Sequence, residues 1–204
     1  MTKTLLIVDM QKDFMPGGAL GVPDADRIAP LLNRVMPRFP LVLATQDWHP
    51  ADHASFDTSH PGKHAGDMVT VQGIPQILWP VHCVQDTKGS EFVAGLNQQP
   101  IKTVFYKGTD KWIDSYSAFF DNAREKSTGL DDYLKAKNIK ELYIAGVATD
   151  YCVLYSVIDA LDLGYTIFVL VDCCRGINLD PQDVEDSLAT MLEKGANIIQ
   201  STVL

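Results

Sequence analysis

Apolar residues along this chain fall into short β-branched runs set between stretches of helical spacing. Leu5 to Val8 is the first run and Leu41 to Thr45 the second. Thr103 to Tyr106, Leu142 to Gly146, Ile167 to Val171 and Ile198 to Ile199 follow. Between the first two runs, Ile28, Leu31, Leu32 and Val35 recur at the spacing of one helix face within Asp24–Phe39. Asp24 or Asp26 is placed to cap that helix, and Pro30 sits early enough to bend it rather than abolish it. Further helices are expected over Leu130–Lys137, Asp150–Leu163 and Pro181–Lys194. Gly164 and Gly195 stand just past the last two, where a C-cap favours glycine. Runs apolar on both faces and separated by helices predict an α/β fold. The expectation is a doubly wound, six-stranded, mostly parallel sheet with helices on both faces, in one domain spanning residues 1–204.

The segment from Gln46 to Pro100 breaks this alternation. It is long, irregular, and holds all 5 histidines: His49, His53, His60, His64 and His82. An insertion of that length without regular structure is expected to be functional.

Composition narrows the classes. The 204 residues are 46% hydrophobic and 21% charged, which excludes a disordered chain. The net charge of −9 lacks the electrostatic footprint of a nucleic-acid or anionic-membrane binder. No apolar run approaches the ~20 residues needed to span a bilayer, and the start does not read as a signal peptide. The 4 cysteines, Cys83, Cys152, Cys173 and Cys174, are too few for a disulfide scaffold and read as reduced thiols, so a cytoplasmic location is expected. A small-molecule substrate is the expected partner. The sequence leaves the oligomeric state open, a homo-oligomer included.

In an open parallel sheet, ligands bind beyond the carboxyl ends of the strands. The first strand ends at Asp9, the second at Gln46 and Asp47, the third at Lys107, and the fourth runs into Gly146–Cys152 at a helix start. Topology alone therefore brings a carboxylate, an ammonium and a thiol to one edge. Cys152 reads as a nucleophile whose pKa the helix dipole and Lys107 would lower, or else as a small buried side chain. Asp9 reads as its base or a turn residue, and Lys107 as its supporting cation or a solvated charge. Asp47 and His49, at i and i+2, would face one cation in an extended chain, with His82 able to complete the set. Loop packing is the competing reading for these histidines.

Taken together, the motifs resemble a known family. Leu6-Ile7-Val8-Asp9-Met10-Gln11-Lys12-Asp13-Phe14 with Pro16-Gly17-Gly18 resembles the opening of the isochorismatase-like cysteine hydrolases. Thr45–Pro50, Trp79–Val84, Phe105–Gly108 and Gly146–Val153 resemble the nicotinamidase (pyrazinamidase) branch. The resemblance implies Cys152 as nucleophile, Asp9 as base, Lys107 as supporting ammonium, and Asp47, His49 and His82 as metal ligands. It leaves His53 or Ser55 open as a fourth ligand, and Zn, Fe or Mn open as the metal, with Zn the best fit. It implies a cis peptide between Val147 and Ala148, with the backbone N–H groups of Ala148 and Cys152 as an oxyanion hole. Phe14, Trp79 and Tyr116 resemble the aromatic walls of a ring pocket, or else they are core aromatics. The implied activity is hydrolysis of nicotinamide, and of pyrazinamide, to the acid and ammonia in pyridine nucleotide salvage. The alternatives are another amidase of the same fold and a non-catalytic metal-binding scaffold.

Overall fold

A computed structural model describes residues 3–204. The strands are β1 (Thr4–Val8), β2 (Leu41–Asp47), β3 (Met68–Val71), β4 (Ile74–Ile77), β5 (Ile101–Lys107), β6 (Glu141–Val147), β7 (Thr166–Arg175) and β8 (Asn197–Ile199). The α-helices are α1 (Ile28–Val35), α2 (Leu130–Ala136), α3 (Leu154–Asp162) and α4 (Asp183–Glu193). Six strands form one sheet in the order β5-β2-β1-β6-β7-β8, every pair parallel. Every residue of β1 is buried, as a central strand covered on both faces requires.

The chain winds outward from β1 in one direction through β2 and β5, and in the other through β6, β7 and β8. Because crossovers are right-handed, that reversal sends α1 to one face of the sheet and α3 to the other. It also opens a crevice between the ends of β1 and β6, the switch point at which such sheets bind ligands.

The helices are shorter than their sequence spacing implies. The stretch Asp24–Phe39 divides into a 3₁₀ turn (Ala25–Arg27), α1, and a second 3₁₀ turn (Met36–Arg38). Neither Asp24 nor Asp26 caps α1: the residue before it is Arg27, and no side chain bonds its first turn. Asp24 adopts φ 57°, the left-handed region that Asp tolerates. Pro30 does sit in the first turn of α1, where its missing N–H costs nothing. The helix expected to start at Asp150 begins instead with a wide π turn over Thr149–Val153, and α3 follows it. Gly164 and Gly195 close α3 and α4 in left-handed conformation, as their positions predict.

The 46–100 segment is not wholly irregular. It contains the antiparallel hairpin β3–β4, closed by Gln72 and Gly73, both at positive φ. Two successive positive φ values make a type I′ turn, whose twist matches the flanking strands.

Candidate active site

Asp9 is the first residue beyond β1, and its φ of 48° turns the chain out of the sheet at that point. Its carboxylate is completely buried. Oδ1 accepts a hydrogen bond from Thr45 Oγ1 at 2.6 Å, and Oδ2 lies 2.8 Å from Lys107 Nζ. That second contact is an ion pair outside hydrogen-bond alignment, so Oδ2 keeps a lone pair with no donor aimed at it.

Lys107, the last residue of β5, is buried with a charged head. Its Nζ meets Asp9 Oδ2, Asp47 Oδ1, the Ser115 carbonyl oxygen at 3.1 Å and Cys152 Sγ at 3.2 Å. Burial would strip its proton, but Asp47, Asp9 and Cys152 outweigh burial and hold its pKa well above the usual lysine value. The reading of Lys107 as a solvated surface charge is therefore wrong. The carboxylates of Asp9 and Asp47 and the Cys152 sulfur lie within 4.8 Å of one another around it.

The electrostatics correct one expectation. A thiol at a helix start beside a lysine was expected to be acidic. Burial instead pushes the Cys152 thiol up: Lys107 opposes this, while Asp9 and Asp47 reinforce it. The π turn also replaces the regular first helical turn on which the dipole argument depends. Burial thus favours the protonated sulfur. Burial, against the pull of Lys107, also lifts the Asp9 carboxyl to about 6.

Asp47 ends β2 and faces the second cluster. His49 Nε2 lies 3.6 Å and His82 Nε2 3.8 Å from Asp47 Oδ2. Each imidazole has its Nδ1 on a backbone carbonyl: His49 on Gly108 at 2.9 Å and His82 on Pro80 at 2.8 Å. A carbonyl only accepts, so Nδ1 carries the proton and Nε2 is directed at the shared space. Only glycine allows the first of these bonds, since a Cβ on Gly108 would meet His49 Cε1 at 2.3 Å. Two imidazole nitrogens and a carboxylate oxygen converging in this way fit a divalent cation of the Zn, Fe or Mn type. Burial, then His49, depresses His82 to about 4, while Asp47 overcomes burial and raises His49. For Asp47, Lys107 and His49 outweigh burial and hold the carboxyl well below the usual range.

The remaining histidines separate cleanly. His53 is buried beside His49 with ring centroids 4.4 Å apart. Its Nδ1 bonds Ser55 Oγ at 2.7 Å, and its Nε2 has no partner. His60 bonds the Ala54 carbonyl and packs the loop, and His64 is exposed.

Between the two clusters lies a narrow cleft. Asp47 and His82 stand at one part of its wall and Ala148 and Cys152 at another. Phe14, Trp79 and Tyr116 all line it. Trp79 Nε1 donates to the Tyr116 hydroxyl at 3.3 Å, and Phe14 meets His82 edge-on at 5.6 Å. Val147-Ala148 is a cis peptide, as the resemblance implies. Leu20, Asp114, Tyr151 and Ile177 complete the lining and were not foreseen. Thr45, which orients Asp9, was missed as well. Tyr151 was legible as the neighbour of Cys152, but nothing in the sequence singles out the others.

Gln11 holds Asp47 from the side. Its amide donates to the Asp47 carbonyl at 2.8 Å and accepts from the Asp47 N–H at 2.8 Å.

The chain belongs to the isochorismatase family, whose domain matches residues 3–203. Within that family it is 46% identical over 200 residues to a nicotinamidase of Escherichia coli (strain K12), covering 96% of this chain and 93% of that protein. A solved nicotinamidase/pyrazinamidase of Acinetobacter baumanii superposes with a TM-score of 0.96 at 41% identity, over 99% of this chain and 97% of that one. The pyrazinamidase of Pyrococcus horikoshii, solved in complex with zinc, gives 0.80 at 38% identity, over 98% and 99% of the two chains. Among the described residues, no helix is long and apolar enough to cross a membrane.

Proposed function

We propose that this protein is a nicotinamide amidohydrolase, releasing nicotinate and ammonia through a Cys152 thioester and accepting pyrazinamide in the same way. We read the chain as one domain, residues 1–204, with 46–100 as its metal-binding insertion. The observation that carries the reading is Lys107 Nζ in contact with Asp9, Asp47 and Cys152 at the edge of a cleft that also holds His82. The nicotinamidase and pyrazinamidase relatives support the substrate class. A cytoplasmic place in pyridine nucleotide salvage is consistent with it.

Asp47, His49 and His82 are the proposed ligands of one divalent ion, and the zinc-bound relative favours zinc. Such an ion supplies a Lewis-acid anchor for the ring nitrogen, directly or through water. Phe14, Trp79 and Tyr116 then pack on the ring and leave the carboxamide at Cys152.

Asp9 Oδ2 takes the Cys152 proton as the sulfur bonds the carboxamide carbon, and the C=O pair moves onto oxygen. The backbone N–H groups of Ala148 and Cys152 are the proposed donors to that oxyanion. The pair returns, the C–N bond breaks, and Asp9 gives its proton to the departing nitrogen as ammonia. A water then loses a proton to Asp9 and attacks the thioester, the C–S bond breaks, and Asp9 reprotonates the sulfur. Lys107 remains charged throughout and stabilises whichever anion forms beside it.

Ammonia release from nicotinamide, with and without added divalent metal, tests the reading. A folded, metal-loaded protein that releases none would overturn it.

A further inference from the structure

The residue two before the nucleophile has no part in the chemistry above, yet it is buried and fully engaged. Asp150 lies in the π turn that carries Cys152, and its carboxylate reaches the loop that follows β7. Oδ1 accepts the N–H of Ile177 at 3.0 Å, and Oδ2 accepts the N–H of Asn178 at 2.7 Å. One carboxylate thus grips two successive backbone groups of another element. The grip demands close approach: a Cβ on Gly176 would meet Asp150 Oδ1 at 2.9 Å and the Val184 side chain at 2.1 Å. Asn178 extends the connection, its Oδ1 accepting the N–H of Val184 in α4 at 3.0 Å. Ile177, held between these anchors, lines the same cleft as Cys152 and Ala148.

We propose that Asp150 is a positioning residue that holds Ile177 as a fixed wall of the cleft, and that Ile177 thereby limits the bulk of ring substituent that the cleft admits beside the carboxamide. The proposal rests on the amidohydrolase reading for its substrate class. The clamp does not depend on that reading. The π turn keeps backbone bonds of its own, from Tyr151 and Val153 N–H to the Ala148 carbonyl. Loss of the clamp therefore frees the wall more than the nucleophile.

Asp150→Asn is the informative variant. An amide has one acceptor oxygen, so one of the two N–H groups is left facing another donor. Three readouts follow. Hydrogen exchange should quicken across residues 176–178 with little change elsewhere. For nicotinamide, KM should rise about tenfold while kcat stays within about threefold. The ratio of kcat/KM for 5-methylnicotinamide over nicotinamide should rise about tenfold. Ile177→Ala should raise that ratio similarly, and adding Asp150→Asn to it should raise the ratio little further, because both act through one side chain. Unchanged exchange at 176–178 refutes the clamp. A fall in kcat with KM and the ratio unmoved, or selectivity effects that simply add, refutes the wall. If the wild type turns over neither amide, the amidohydrolase reading falls with the selectivity claim, and exchange still decides the clamp.

Discussion

The two halves of the site are held in place by different means. Asp9, Asp47 and Lys107 are the terminal or next residues of β1, β2 and β5, neighbouring strands of one parallel ladder. Their positions follow from the register that pairs Asp47 with Lys107. His49 and His82 belong to the long connection, where a single parallel bridge between His49 and Val84 is all the ladder that reaches them. There, individual polar bonds take over. Gly108 and Pro80 carbonyls aim the imidazoles, and Asp13 Oδ2 accepts the Cys83 N–H at 2.7 Å. The Gln85 amide reaches the Trp48 carbonyl at 2.9 Å. Chemistry that must not drift sits on the ladder. The two imidazoles sit on individual hydrogen bonds.

Removing the sulfur that the ladder half surrounds should cost the most. Cys152→Ala removes the sulfur beside Lys107, and turnover of nicotinamide should fall by at least ~10⁴-fold in a protein whose melting temperature barely moves. Substantial hydrolysis by that folded variant would make Cys152 a spectator.

Asp9→Asn should cost ~10²–10⁴-fold, the usual contribution of a general acid–base group. A pH profile sharpens the point. The base works ionised, so kcat/KM should be present above, and lost on descending through, about 6. Stability should run the opposite way. With its folded value lifted above the ordinary 3.8, Asp9 favours the fold fully below that value, and the benefit disappears as pH rises through about 6. Asp9→Asn should flatten both limbs, as steady-state rates and thermal melts across pH 4–8 (roughly two units about that midpoint) would show. Near-normal turnover would leave Asp9 a mere counter-ion.

The loop half should respond through metal content first. His49→Ala should lose about one equivalent of divalent ion by elemental analysis, and chelation should depress wild-type activity reversibly. Equal metal in both proteins would remove His49 from the site. The smallest effect belongs to Asp13→Ala, which leaves the Cys83 N–H unpaired beside His82. A stability loss of about 1–3 kcal/mol by denaturant titration is expected, with metal affinity weakened roughly tenfold. If affinity holds while stability drops, the imidazoles do not depend on that brace.

The same contrast explains what could be read beforehand. The central sheet was legible because strands covered on both faces leave unbroken apolar runs, as in Leu5–Val8 and Leu142–Gly146. The strand-end residues followed from topology. The hairpin β3–β4 was not visible: Pro75 and two exposed positions blur its alternation, and its turn is Gln-Gly rather than the commoner Asn-Gly. Thr45, Asp114 and Ile177 are residue types common everywhere, and only the folded chain brings Asp114 and Ile177 to the cleft and Thr45 to Asp9. The direction of the Cys152 pKa was misjudged because sequence shows a helix start but not the depth at which the sulfur lies.

Gln11 shows how the ladder half survives its own interruption. Where β1 swings away at Asp9, the end of β2 would be left with an open rung on that side. The Gln11 amide supplies it, offering an oxygen to the Asp47 N–H and a nitrogen to the Asp47 carbonyl. It thus acts as a one-residue splint made from a side chain. Because of it, the backbone at Asp9 is free to leave the sheet and turn its carboxylate toward the sulfur, while Asp47 stays as firmly seated as a residue in mid-strand.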